Sequence, residues 1–196
     1  MLQRARARCP GLEFVAGDAQ QLPFEAASFD AVTMNFGTLH LADPDAALAE
    51  AHRVVRPGGR YALTAWAPDG NAQAEIVGAA LAEHAVPVEV PEGPAYFRFA
   101  DAAESRRALS EAGFDADSVR IETVEVLWRL PAADFLFEAE RHAGVRTAAV
   151  LAAQPPGRLE SIRMAMAEGV RRYADGREYA LPIVARVVSA RAPLTP

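Results

Sequence analysis

Residues 29–66, FDAVTMNFGTLHLADPDAALAEAHRVVRPGGRYALTAW, switch twice between the period of a strand and the period of a helix. Phe29 to Phe36 is a mostly apolar run, which predicts a strand buried on both faces, as in parallel sheets. Asp43-Pro44-Asp45 then opens a helix. Asp43 can cap free N–H groups, Pro44 suits the first helical position, and acid favours the positive end of the helix dipole. Leu48, Ala51 and Val55 form the apolar stripe, and Pro57-Gly58-Gly59 is expected to end the helix. Arg60 to Trp66 reads as the next strand. Strand, helix and strand on short links describe a parallel sheet covered by helices.

Upstream, Met1 to Arg8 is basic and helix-like, Leu12 to Ala16 reads as a short strand, and Gly17-Asp18 ends it. Downstream, a helix fits Asn71 to His84, and a Pro-rich connector, Val86 to Pro94, marks a change of character. Asp101 with Glu104 resembles a capping box, and its helix stops at Gly113. Val119 to Trp128 is strand-like, with an apolar phase that slips near Thr123 and predicts a bulge. Residues 134–173 read as helical, broken in two at Pro155-Pro156-Gly157. Leu159, Ile162, Met166, Val170 and Tyr173 trace one face of the second piece. Asp175-Gly176 turns the chain into a last strand, about Tyr179 to Ala190.

Composition sets bounds. At 196 residues, with half of them apolar, the chain can bury a real core. No run approaches the ~20 apolar residues of a membrane span, and no apolar segment follows the basic start as a secretory signal requires. A single cysteine, Cys9, excludes an internal disulfide and a cysteine-based zinc site, and a cytoplasmic location is expected. The net charge of −6 argues against a nucleic-acid partner. Every basic residue is Arg, and Arg4, Arg6 and Arg8 read better as a solvated helix surface than as an anion patch. His52, His84 and His142 have no ligand spacing, so no metal site is expected.

In open parallel sheets, ligands bind beyond the carboxyl ends of strands. Three segments take such positions here: Gly17-Asp18-Ala19-Gln20, Asn35-Phe36-Gly37 to His40, and Trp66 onward. Asp18 with the N–H that follows it has the groups to read an adenine edge; the alternative is that Asp18 closes a turn. Asn35, ending a strand, either faces a ligand or bonds neighbouring backbone. His40 stands where a general base would serve near neutral pH, or is structural.

These signals come in an informative order. Gly17-Asp18-Ala19, Leu22-Pro23-Phe24, Ser28-Phe29-Asp30, Leu39-His40-Leu41 and Val55-Arg56-Pro57-Gly58-Gly59-Arg60 coincide with one pattern. Residues 1 to about 66 closely resemble the middle of class I S-adenosylmethionine-dependent methyltransferases, in the small-molecule group that includes the ubiquinone/menaquinone biosynthesis enzymes. The resemblance implies an α/β, Rossmann-like sheet with helices on both faces. It implies an antiparallel pair near 119–128 and 179–190, with a helical insertion at about 129–177 that, with Trp128, Phe135 and Phe137 nearby, would cover the acceptor; core packing accounts for these aromatics equally well. It implies one domain over 1–196, with a cofactor-side half to residue 86.

In the family, a strand with a glycine-rich loop and a second strand ending in an acid precede this point. The chain is therefore expected to be N-terminally truncated and impaired. The resemblance leaves Asp18 with Ala19 or Gln20 on the adenine of S-adenosylmethionine, Asn35-Phe36-Gly37 beside the methyl donor, and His40 as a base. The expected reaction is methyl transfer to a small-molecule acceptor. A non-catalytic binding or assembly module is the rival reading, and self-association is expected. A nucleotide-linked oxidoreductase would need a glycine-rich loop and a Tyr/Lys pair, and Lys is absent.

Overall fold

A computed structural model describes residues 2–90 and 93–194. Along the chain lie helix α1 (Leu2–Arg8), strand β1 (Phe29–Asn35), α2 (Pro44–Val54), β2 (Val55–Trp66) and α3 (Ala72–His84). There follow α4 (Ala102–Glu111), β3 (Arg120–Leu130), α5 (Phe135–Ala143), α6 (Val145–Ala152), α7 (Pro156–Arg171), β4 (Ala174–Asp175) and β5 (Glu178–Arg191). The sheet runs β1–β2–β5–β3, with β4 paired to β5. β1 and β2 are parallel, while β5 runs antiparallel to both β2 and β3. The family-like mixed sheet with its antiparallel closing pair is therefore present.

Period-two alternation gives the sheet two distinct faces. On one, Tyr61, Leu63 and Ala65 of β2 are buried with Val188 and Ala190 of β5 against Leu48, Ala51, Leu109 and Phe114. On the other, α3, α5 and α7 meet Leu130 and Leu181 at one end of the sheet, in a second core that includes Ile76, Leu136 and Met166. The cap expected at Asp43 forms, and Asn71 supplies another. Asp43 Oδ1 accepts from the Ala46 N–H at 3.0 Å, and the Asn71 side chain accepts from the Ala74 N–H. Asp101 accepts from the Glu104 N–H, but Glu104 does not return the bond, because its carboxylate faces Arg98 and Arg107.

Several expectations are corrected. Leu12 to Ala16 forms no strand and is largely exposed, because extended backbone becomes a strand only beside a ladder partner. β1 has no partner on its outer edge among the described residues and is only half-buried, so it is not the doubly covered strand its composition predicts. Helix α2 stops at Val54, before the Pro-Gly-Gly stretch, and Val55 already belongs to β2. The register then jumps from Phe29↔Val55 to Ala31↔Arg60, so Pro57-Gly58-Gly59 lies in a bulge. Gly58 adopts φ +75° there, and its N–H points to the Ala192 and Pro193 carbonyls.

β3 pairs with β5 in unbroken register and has no bulge near Thr123. Its phase slip has another cause: the middle of the strand stays uncovered, with Val124, Val126 and Leu127 at 40, 53 and 59% exposure. The 134–173 stretch breaks at Gly144 as well as at the proline pair, giving three helices, and Tyr173 lies just beyond the last. In the expected connector, Pro91 and Glu92 lie outside the described residues, as does Met1.

Two carboxylate clasps tie loops and helices to α2 and α4 in the first 111 residues. Arg53 and the Leu22 N–H bond Glu50, while Arg53 also donates to the Leu22 and Phe24 carbonyls, tying the loop before β1 to α2. Arg107 and Arg98 bond Glu104, and Arg98 also grips Asp45 of α2. Arg53 holds the Glu50 carboxyl down at about 2, and Arg107 with Arg98 does the same for Glu104. A depressed folded pKa gives a contribution that is present above the ordinary 4.5 and is lost as pH falls toward about 2. Urea unfolding midpoints should therefore drop across that window. In Glu50→Gln combined with Glu104→Gln the drop should flatten; an unchanged acid limb would remove these clasps as its cause.

Candidate active site

The carboxyl end of β1 is built around one hydroxyl. Thr64 Oγ1 of β2 donates to Asn35 Oδ1 at 2.6 Å and accepts from the Phe36 N–H at 2.9 Å. The second bond helps to hold Phe36 at φ +49°, a left-handed conformation that is costly for a bulky side chain. That bend lays the Phe36 ring on Trp66, with centroids 3.8 Å apart and planes within 16°. Gly37 follows because a Cβ there would sit 2.7 Å from Met34 Cγ. A 3-10 turn, Thr38–His40, then buries Thr38 and Leu39 and leaves the His40 side chain exposed.

This end of β1 opens into a cavity of about 780 Å³. Phe36, Trp66, Val124, Val126 and Ile183 line it from the sheet, and the α5–α6 corner lines it from the insertion. Its polar side chains are few: Thr64, His40, Gln73, Tyr96, Glu140, Arg146 and Thr147, besides the indole N–H groups. Such a chamber, apolar with a handful of polar groups, is the form taken by small-molecule sites. The uncovered middle of β3 is thus one wall of the cavity.

Of the sequence-predicted residues, Phe36 and His40 line this cavity, and Asn35 adjoins it through Thr64. Gly37 provides the turn between them. Asp18, Ala19 and Gln20 do not line it. They form a tight turn, in which the Asp18 carbonyl accepts from the Gln21 N–H and Asp18 Oδ1 accepts from the Gln20 N–H at 2.9 Å. The Gln20 side-chain oxygen accepts from the Asp43 N–H and so ties this turn to the start of α2. Asp18 therefore does close a turn. Even so, its Oδ2 receives only a 3.3 Å contact from Gln20, and the Ala19 N–H donates to no protein group among the described residues. An exposed acceptor beside a free donor is the pair of groups an adenine edge requires.

Trp128 lines the cavity, Phe137 is buried in the second core, and Phe135 is exposed with its ring edge toward Trp128. Thr64, Gln73, Tyr96 and Glu140 were not anticipated. Glu140 does carry a legible signal, since it falls on the Leu136–Phe137 face of an amphipathic helix, where an acid is out of place. Among the described residues there is no cluster of three or more His, Cys, Asp or Glu able to hold a metal, and no helix long and apolar enough to cross a membrane.

Comparison with known proteins bears on the same elements. Residues 1–63 match a family model described as a methyltransferase domain. A solved structure of a putative methyltransferase from Bacillus halodurans superposes with a TM-score of 0.54 at 20% identity, covering 98% of this chain and 78% of that one. The chain has a class I methyltransferase fold. The YcgJ protein of Bacillus subtilis is similar with a TM-score of 0.52 at 18% identity, covering 97% of this chain and 76% of that one.

In sequence, up to about a third of the chain resembles quinone-biosynthesis methyltransferases. It is 47% identical over 73 residues to the demethylmenaquinone methyltransferase of Beutenbergia cavernae, covering 35% of this chain and 30% of that protein. It is 56% identical over 50 residues to the ubiquinone/menaquinone biosynthesis C-methyltransferase of Brucella anthropi, covering 26% of this chain and 19% of that protein. The chain thus spans about a third or less of the length of these two relatives.

Thr64→Val removes both bonds at the strand end and leaves the Phe36 N–H and the Asn35 amide without that partner. A loss of about 1–3 kcal/mol in urea unfolding is expected, and Thr64→Ser should recover most of it. Equal stability of the valine variant would separate the loop's shape from this hydroxyl.

Proposed function

We propose that this chain carries the methyl-donor-facing loop and the acceptor cavity of an S-adenosylmethionine-dependent methyltransferase for a small apolar molecule. The observation that carries the reading is that the Asn35–Phe36–Gly37 loop, at the carboxyl end of a parallel strand, opens into an apolar cavity of ligand size. Asp18 Oδ2 and the Ala19 N–H are the groups for the adenine, and Gln20 holds their turn against α2. When bound, S-adenosylmethionine supplies a methyl group on a sulfonium, already a good electrophile. The protein's part is then proximity and alignment.

Phe36 and Trp66 orient a flat acceptor, and the cavity's apolar walls exclude water from it. His40, at the rim, takes a proton from an acceptor that must lose one. A cytoplasmic location belongs to the same reading. Affinity for the cofactor is weak in this chain, because Asp18 already commits Oδ1 to its own turn and the turn is open to solvent. Calorimetry should show S-adenosylmethionine binding with a dissociation constant above the micromolar range. Asp18→Ala should weaken that binding about tenfold. No binding by the unaltered chain would overturn the reading, and an unchanged constant in the variant would remove Asp18 from the site.

A second reading, an assembly module, is favoured by the edge of β1. Seven residues of strand present one row of backbone groups with no strand beside them among the described residues. Open edges of this kind recruit other chains. Two copies joined edge to edge about a two-fold axis would pair these groups. Light scattering at micromolar concentration should show dimers or larger species, and a stable monomer would reject association.

A further inference from the structure

Glu140 is out of keeping with its surroundings. It is 7% exposed, on the apolar face of α5, and it lines the cavity. Its Oε1 accepts from the Gln73 side-chain amide, and it makes no ion pair among the described residues. Its Oε2 lies over Gly144, where a Cβ would come within 2.6 Å of it, so the glycine between α5 and α6 leaves room for the carboxylate. A buried carboxylate with a single amide partner is poorly compensated, and a charge in that position gains most from an opposite charge.

Two other ionisable groups besides Tyr96 line the same space. Arg146 is exposed and donates to the Pro94 carbonyl, and His40 is exposed at the rim. Neither forms an ion pair with Glu140 among the described residues. Tyr96, its phenol held above the ordinary range by burial and by the Glu140 charge, brings a ring to that end of the cavity. Trp66, Trp128 and Phe36 supply further aromatic faces, which favour a cation.

We propose that the cavity takes an apolar molecule bearing a protonated amine, with Glu140 as its counter-ion, an inference about the ligand class that rests on reading this cavity as the acceptor site. Gln73 holds the carboxylate in place and leaves Oε2 for the ligand. The aliphatic or aromatic body of the ligand lies along Val124, Val126 and Ile183. Neutral molecules of the same shape lack the charge pair, and anionic ones meet Glu140 directly.

Both tryptophans of the chain, Trp66 and Trp128, line the cavity, so intrinsic fluorescence reads occupancy. Octylammonium, octanol and octanoate, titrated at pH 7 without S-adenosylmethionine, share one body and differ in charge. Octylammonium should saturate at about tenfold lower concentration than octanol or less, with octanoate weakest. In Glu140→Gln, amine and alcohol should titrate alike. In Gly144→Ala, the added methyl crowds Oε2 and should weaken the amine while sparing the alcohol. Equal affinity for amine and alcohol, tightest binding of octanoate, no binding of any probe, or an amine preference that survives in Glu140→Gln would each overturn the proposal. Because no cofactor is present, failure of the methyl-transfer reading would appear in calorimetry and leave these titrations as they are.

Discussion

The alternation of β2 is the constraint on which the other features rest. Tyr61, Leu63 and Ala65 must face the core beneath α2 and α4, so Thr64 and Trp66 must face the opposite side. A slip of one residue would bury the hydroxyl in an apolar core and turn Leu63 and Ala65 to the cavity face. With the register held, Thr64 is placed to bend the chain after β1, and Trp66 to receive the ring of Phe36. The loop and the cavity wall are thus consequences of how one strand buries its other face.

The insertion completes the chamber by leaving part of the sheet uncovered. α3, α5 and α7 pack over one end of β3 and β5, around Leu130 and Leu181. The middle of β3 stays open, and its valines become wall rather than core. At residue 144 anything larger than glycine would meet Oε2, so the residue that parts α5 from α6 also leaves room for the Glu140 carboxylate. Cavity shape and cavity charge therefore meet at one residue, Gly144.

What could be read from the chain follows from how local each signal is. The caps at Asp43 and Asp101, and the left-handed glycine at Gly113, depend on a few neighbouring residues, and they stand where the pattern predicts them. Leu12 to Ala16 has the composition of a strand, yet a strand is a relation between two segments, and its partner is not coded within it. The slip at Thr123 was real, but a bulge and an uncovered face leave the same trace in hydropathy. At the site, Asn35, Phe36 and His40 were legible from their place after an apolar run. Thr64, Gln73 and Glu140 come from three separate elements, and only the fold brings them to one chamber. Glu140 alone left a sign, an acid on an apolar helix face.

β5 belongs to both cores at once. Val188 and Ala190 close one face of the sheet, Leu181 closes the other, and the strand lies between β2 and β3 although it follows both in the chain. During synthesis, β2 and β3 are complete well before the strand that joins them emerges. Thr64 must wait for Val187, and Ile121 for Val188. Long-range pairing of this kind slows folding and leaves apolar strands unpaired meanwhile. The nascent chain therefore passes through a stage with both halves made and neither core closed, the stage at which a chaperone would have most to hold.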